Sequence, residues 1–462
     1  MDKKKNLPSS SELEMDFLEK YSAVAERNNL FDQGFYEKFN VKRGLRNTDG
    51  SGVVVGLTEI GEVHGYIMDE GEKTPSKGRL RYRGFDIKDL VAGFQSPKRL
   101  GFEETVYLLL ISELPSSKEL VDFTALLGSL RNLPKGFKED VILRFPSGNI
   151  MNQLARAVLF TYSFDENPED YSIKNILRQS VELIARFPSY IAYSYQAKRH
   201  YYDHDSLFLH TPPANLSTAE SFLYMIRPNN QYTALEAEVL DLALVLHAEH
   251  GGGNNSSFSI RLVSSAGTDT YSAMGAAIGS LKGIKHGGAN IKVMDMILDI
   301  RSHCPNWDQG DNLAQYLAKI LKKETFDGQG LIYGMGHAVY TLSDPRAELL
   351  KDKARELAQE KGLLRDFGLY ESIERLTPDV LLSLKPSAKE VCANVDLYSG
   401  FVYEMLGIPS ELYTPIFAMA RVAGWSAHRI EELVSGGKII RPAYKNVSEK
   451  MVYTPLDQRK NQ

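Results

Sequence analysis

Cysteine is scarce: the 462 residues hold two, Cys304 and Cys392, far apart and without CxxC spacing. That excludes a disulfide framework or a zinc ribbon and fits a reducing compartment. No apolar run approaches the roughly eighteen residues needed to span a bilayer. The N-terminus, MDKKKNLPSSSELEMDFLEK, has no apolar core and carries acids from its second position. It is unlike a secretory or transit peptide, so a cytoplasmic protein is expected. Excess charge is also lacking, with 54 basic and 59 acidic side chains netting −5. This gives no electrostatic case for nucleic acid or an acidic membrane, so an anionic ligand must be held by locally placed arginines. Internal repeats, low-complexity tracts and flexible linkers are absent too.

What is present is an ordinary globular composition, 43% apolar and 24% charged, with ample material for a core. The length favours two domains, or one large and one small. Residues 11–40 pattern as an amphipathic helix or two. Residues 53–86 carry β-branched residues, apolar–polar alternation and glycine turns, which predicts short strands or hairpins. Beyond Asp86 the periodicity is helical almost to the end. Helices are expected at 102–115 (stopped by Pro115), 117–132, 149–164, 172–196, 288–301 and 311–323. Thr233 and Glu236 form a capping box for a helix ending at Gly251. Asp344-Pro345 and Thr414-Pro415 each read as an N-cap with proline at the first helical position.

The stretch from Leu246 to Asn290 gathers His247, His250 and His286 beside glycines, and His337 sits similarly in GMGHAVY. Imidazole shuttles protons near neutral pH, and glycine allows close backbone approach. His247 and His250 fall three apart near a helix C-terminus, where the bland reading is stabilisation by the dipole. A metal reading is poor, since HAEH lacks the HExxH spacing and a nearby third ligand. His286, in GIKHGGAN, lies before a helix N-terminus that keeps a ring neutral; the alternative is a loop histidine without a role.

Arg346 falls in the first turn of its helix, where an anion would offset its conflict with the dipole. The alternative is an exposed arginine with no ligand. Arg421 is the sole charge in YTPIFAMARVAGWSA, so a buried guanidinium is expected, serving either a ligand or an internal salt bridge. Arg441 in GGKIIRP is ambiguous. Asp396 in ANVDLYSG reads, in isolation, more as a helix cap than as a base.

Together HAEHGGGN, GIKHGGAN, GMGHAVYTLSDPR and NVDLYSGFVYEMLGIP resemble the citrate synthase family in order and approximate spacing. GRLRYRGFDIKDL and FEETVYLLLISELP resemble its N-terminal hallmarks, and the likeness covers roughly residues 50–445. The departures are Met335 and Tyr333, in the loop that would line the adenine site. The resemblance implies a mainly α, two-domain helical fold with a short β region near the N-terminus, forming a homodimer. By analogy residues 286–401 form a small CoA-binding domain that closes over a large domain of 44–285 and 402–462. Residues 1–43 are a helical extension. The family condenses oxaloacetate with acetyl-CoA and hydrolyses the citryl thioester without metal or cofactor. Carried over by position, Asp396 would remove the methyl proton, His286 would bind the thioester oxygen, and His337 would protonate the ketone. His250, Arg346, Arg421 and Arg441 would hold the carboxylates. Ile332, Tyr333, Gly334, Met335 and Gly336 would flank the CoA adenine.

Three other readings stand beside this one. Propionyl-CoA in place of acetyl-CoA would make the protein a 2-methylcitrate synthase, since a single methylene discriminates weakly. A metal-dependent hydrolase built on the histidines is a remote second. The third is an inactive paralogue that only binds ligands, against which the full set His286, His337 and Asp396 argues.

Overall fold

The computed structural model describes residues 10–47, 50–69, 72–435 and 437–459. The first nine residues, part of the expected leaderless N-terminus, lie outside them. The chain divides into two compact units, Gly56–Ile440 and the pair Met1–Val55 with Arg441–Gln462. In the second of these, the expected lead-in helices are Ser10–Asn28 and Gly34–Lys38. The Lys445 ammonium stands 5.3 Å over the Phe39 ring, joining the C-terminal segment to the N-terminal one.

The Gly56–Ile440 unit is helical apart from one antiparallel sheet, β1 (Gly61–Asp69), β2 (Glu72–Tyr82) and β3 (Phe85–Asp86), in the order β1-β2-β3. Arg83 and Gly84 both take positive φ, 48° and 85°, the two-residue turn whose twist suits a hairpin. Residues 53–60 form no strand despite their β-branched run. The sheet begins only at Gly61, where β2 supplies a partner. The sheet lies unusually close to the segment after His337. A Cβ on Gly65 would fall 2.5 Å from Val339 O, and one on Gly78 2.0 Å from Ser343 O.

The helices mostly follow the periodicity, and their ends show what overrode it. Phe102–Ile111 stops at Ser112, which takes the left-handed cap (φ 68°) before Pro115 is reached. Its first amides, Gly101 and Phe102, donate to the buried Asp241 carboxylate at 2.6 and 3.2 Å. Ile173–Tyr202 runs six residues past the expected end and through the buried Pro188. The Thr233–Glu236 capping box forms, but its helix ends at His247 rather than Gly251. There the Tyr82 hydroxyl lies 3.0–3.3 Å from the carbonyls of Val245, Leu246 and Glu249, so the final carbonyls have a partner outside the helix. Thr414 is not the expected cap. A 3₁₀ turn (Ser410–Leu412) feeds directly into Tyr413–Val434, and Thr414 Oγ1 instead donates to Gly287 O at 2.8 Å. That last helix is buried from Ala418 to Arg429, and with Ile173–Tyr202 and Ala234–His247 it forms the centre of the core. Among the described residues no helix is long and apolar enough to cross a membrane.

Candidate active site

Arg421 is completely buried. Its Nε donates to His247 O at 2.7 Å, while Nη1 and Nη2 have no hydrogen-bond partner among the described residues. The internal salt bridge allowed by the sequence is therefore not formed. The guanidinium lies 4.8 Å over the Phe417 ring, and burial pulls its pKa down to about 10, against the pull of Glu249. Leaving charged donors buried and unmatched costs about 1–3 kcal/mol or more, so this arrangement is built to receive an anion.

Around it the histidines are held neutral. His250 lies beyond the helix end, its Nε2 buried without a partner among the described residues. Burial and then the nearby Arg346 guanidinium hold its pKa well below the ordinary value. His337 faces it edge-on at 5.1 Å and stacks on Tyr340 at 4.8 Å. His337 Nδ1 accepts from the amides of Val339 (3.1 Å) and Tyr340 (3.2 Å). A nitrogen that accepts carries no proton, so this ring is the Nε2–H tautomer, a fixed donor.

Arg346 is buried, not exposed, and most of its fork is matched. Nε and Nη2 bind the Asp344 carboxylate at 3.0 and 2.7 Å. The same carboxylate caps the helix by accepting from Arg346 N at 3.0 Å, so the cation at a positive helix end travels with its own anion. Asp344 thereby resolves the conflict that the sequence left open.

Asp396 is not a cap. Asn394 takes that place, accepting from Asp396 N at 2.9 Å. With its own carboxylate spared that duty, Asp396 is pushed up to about 6 by burial, which outweighs the opposing pull of Arg346. Asn394 also ties the 332–336 loop to this helix. Its amide donates to Gly334 O (2.9 Å) and its side chain to Gly336 O (2.8 Å), while Gly336 N donates to Cys392 O (2.7 Å). Gly334 has φ of 81°, and a Cβ there would meet Leu397 at 2.9 Å, so only glycine fits.

His286 belongs to a four-residue helical turn, Ile284–Gly287, just before Ala289–His303. Burial, and then Arg421, lower it to about 4. The expected neutral ring is found, with burial as the main cause rather than a helix end. Its Nε2 lies 3.2 Å from Ser256 Oγ, which also accepts from Trp425 Nε1 at 3.0 Å.

Electrostatics bind the set together: Arg346 acts on His247, His250, Arg421 and Asp396, and Arg421 acts on His286. Arg441 is exposed and belongs to the unit with Met1–Val55. His247 was given the bland reading in the sequence, yet both its ring nitrogens are buried without partners among the described residues, 4.5 Å from the Phe417 ring. Ser256 and Trp425 were missed as well. The available signals were the first histidine of HAEH and an indole N–H inside an otherwise apolar helix.

The family model for the citrate synthase C-terminal domain matches residues 47–443. A citrate synthase of Deinococcus radiodurans is 35% identical over 82% of this chain and 93% of its own. A 2-methylcitrate synthase of Shewanella oneidensis is 33% identical over 81% and 90%. The crystal structure of citrate synthase from Pyrobaculum aerophilum superposes with a TM-score of 0.71 at 29% identity, covering 88% of this chain and 94% of that one. A buried arginine with open donors, neutral histidines and a basic carboxylate thus stand on the fold of one enzyme family, and the chain belongs to the citrate synthases.

Proposed function

We propose that the protein condenses acetyl-CoA with oxaloacetate and water to give citrate and CoA. The observation that carries this reading is Arg421, whose two terminal nitrogens are unmatched beside neutral His250 and His337. A keto diacid offers the carboxylate for the first and the ketone for the last. Arg346, His250 and Arg421 bind the carboxylates, with Arg441 reaching across the dimer. His337 donates its Nε2–H to the ketone oxygen and protonates it as the new carbon–carbon bond forms.

Asp396 removes the methyl proton of the thioester. A carboxylate with an ordinary pKa of about 4 is a weak base for this task, and raising it towards 6 strengthens the base while leaving it ionised at pH 7.5. His286 stabilises the developing enolate. For that the Ser256 hydroxyl turns from Asn254 Oδ1, to which it donates at 2.9 Å, and gives its proton to His286 Nε2, leaving Nδ1–H for the thioester oxygen, while Trp425 feeds the Ser256 oxygen from behind. The loop 332–336 flanks the CoA adenine, residues 286–401 close over the cleft as a small domain and exclude water, and water then hydrolyses citryl-CoA. No metal or cofactor takes part, the protein is a cytoplasmic homodimer, and turnover survives exhaustive chelation.

Propionyl-CoA is the second reading, favoured by the near-equal identity to relatives of both names. A thiol-release assay with oxaloacetate and either thioester decides between them. Folded protein that releases CoA from neither ends the proposal.

A further inference from the structure

Between the two histidines of HAEH lies a carboxylate that the reaction scheme does not use. The Glu249 side chain has no exposed surface. Its Oε1 accepts from His428 Nε2 at 3.0 Å and from the Gly251 amide, while Oε2 is buried without a partner among the described residues. Two glycines make the slot: a Cβ on Gly61 would stand 2.7 Å from Oε1, and one on Gly424 2.5 Å from Oε2. Arg421, Gly424 and His428 fall at i, i+3 and i+7 of one helix, hence on one face. The carboxylate therefore lies along the face that bears Arg421.

The network behind it has a direction. Arg261 Nε donates to His428 Nδ1 at 2.9 Å, so that nitrogen is unprotonated and the ring is neutral, with its proton on Nε2 pointing at Glu249. The other Arg261 nitrogens go to Glu432 (3.2 Å), Thr58 (3.0 Å) and Glu431, which anchors the ring. The groups acting on Arg421 are Glu249, Tyr82 and Arg346, and Arg421 in turn acts on His247, His250 and His286. Of these, Glu249 is the carboxylate, and Arg346 is already matched by Asp344.

We propose that Glu249, held by His428 and Arg261, is the internal counter-ion of Arg421, a positioning residue that keeps the guanidinium charged without occupying either terminal nitrogen. A direct salt bridge would balance the charge but would consume the donors that the substrate needs. A carboxylate seated one helical turn away, and fixed by a neutral histidine, balances the charge and leaves the donors open. The idea rests on the proposed use of Arg421 as the oxaloacetate anchor, and it adds a specific dependence on pH.

The test uses the full-length protein and begins with wild type, whose failure to release CoA would count against the proposed function rather than against Glu249. Glu249→Gln keeps the shape and the acceptor for His428 but removes the charge. The alkaline limb of kcat/KM for oxaloacetate is expected to move to lower pH by about one unit, a loss of about tenfold on that limb. KM for the thioester stays within about twofold, because the affected group binds the other substrate. A purely structural defect would lower activity at every pH alike. His428→Leu is expected to lose about tenfold in kcat/KM for oxaloacetate, and His428→Gln, which can still donate to Glu249 and accept from Arg261, to recover to within about threefold of wild type. An alkaline limb of Glu249→Gln that coincides with wild type, or a His428→Gln variant no better than His428→Leu, overturns the assignment.

Discussion

Gly78→Ala is expected to damage catalysis from a strand that carries no catalytic group. The new Cβ would stand 2.0 Å from Ser343 O, 2.7 Å from Tyr340 Cδ1 and 3.1 Å from Pro345 Cδ. Ordinary carbon–oxygen contact needs about 3 Å or more, so strand and segment must separate by about 1 Å, and packed interiors do not absorb that locally. The Gly78 amide also donates to Ser343 Oγ at 3.2 Å, a bond the shift would break. The displaced segment holds Tyr340, which stacks on His337, at one end, and Asp344 with Arg346 at the other. A 1 Å misplacement of such groups costs about a hundredfold in rate, while overpacking costs about 1–3 kcal/mol of stability. The assay is kcat/KM by thiol release alongside denaturant unfolding, with Gly93→Ala as comparison. Gly93 sits exposed in the helix Ile87–Gln95, and nothing lies within 4 Å of its would-be Cβ, so alanine there should stabilise by about 0.5–1 kcal/mol. If Gly78→Ala keeps kcat/KM within threefold of Gly93→Ala, the close packing of the sheet does not position the site.

Because Asp396 must be ionised to act and is raised to about 6, kcat/KM should fall with unit slope below pH 6, to about a tenth at pH 5; a flat profile down to pH 5 contradicts the assignment. A carboxylate raised on folding contributes stability that is lost as pH rises through its folded value. Asp396→Asn should therefore abolish turnover yet raise Tm at pH 7.5 and not at pH 4, and a lowered Tm at pH 7.5 would be the contrary result. Ser256→Ala strands His286 Nε2 and Trp425 Nε1 and should lower kcat about 10–100-fold with KM for oxaloacetate little changed; unchanged kcat would remove Ser256 from the scheme. Glu236 is depressed to about 2: burial raises it, but Arg227, Lys361 and the Thr233 amide outweigh that. Its contribution is present above about pH 4.5 and lost as pH falls towards 2, so Glu236→Gln should cost about 1–2 kcal/mol at pH 7 after allowance for partners at the rim, and an unchanged Tm would refute this.

Much of the fold and of the site was legible along the chain because periodicity and motif order are local properties. The helical reading, the capping box at Thr233, the burial of Arg421 and the neutrality of His286 all stand. Some of what escaped was decided by partners distant in sequence, and some by a residue only two places away. Thr414 is drawn from its cap by Gly287, Asp396 is relieved of cap duty by Asn394, and the helix before HAEH is closed early by Tyr82, 163 positions upstream of its first carbonyl partner. For Arg346 the choice between a ligand-holding and an exposed side chain stayed open, because its matching Asp344, two residues earlier, reads in the sequence only as a cap. The open nitrogens of His247 could not be anticipated, since an unmatched ring is defined by what fails to approach it.

Finally, the ladder joining 334–336 to 392–394 couples two stretches that lie some sixty residues apart. Backbone and the Asn394 side chain form all of its rungs, so Tyr333 and Met335 contribute no side chain to it, and Tyr333 spends its hydroxyl on Asp327 instead. Those two side chains can therefore be exchanged, reshaping the surface that the proposed scheme offers to a nucleotide, while the carboxylate that follows keeps its alignment. On the proposed scheme, recognition of the carrier and the aim of the base can then vary separately, although both ride on one hydrogen-bonded frame.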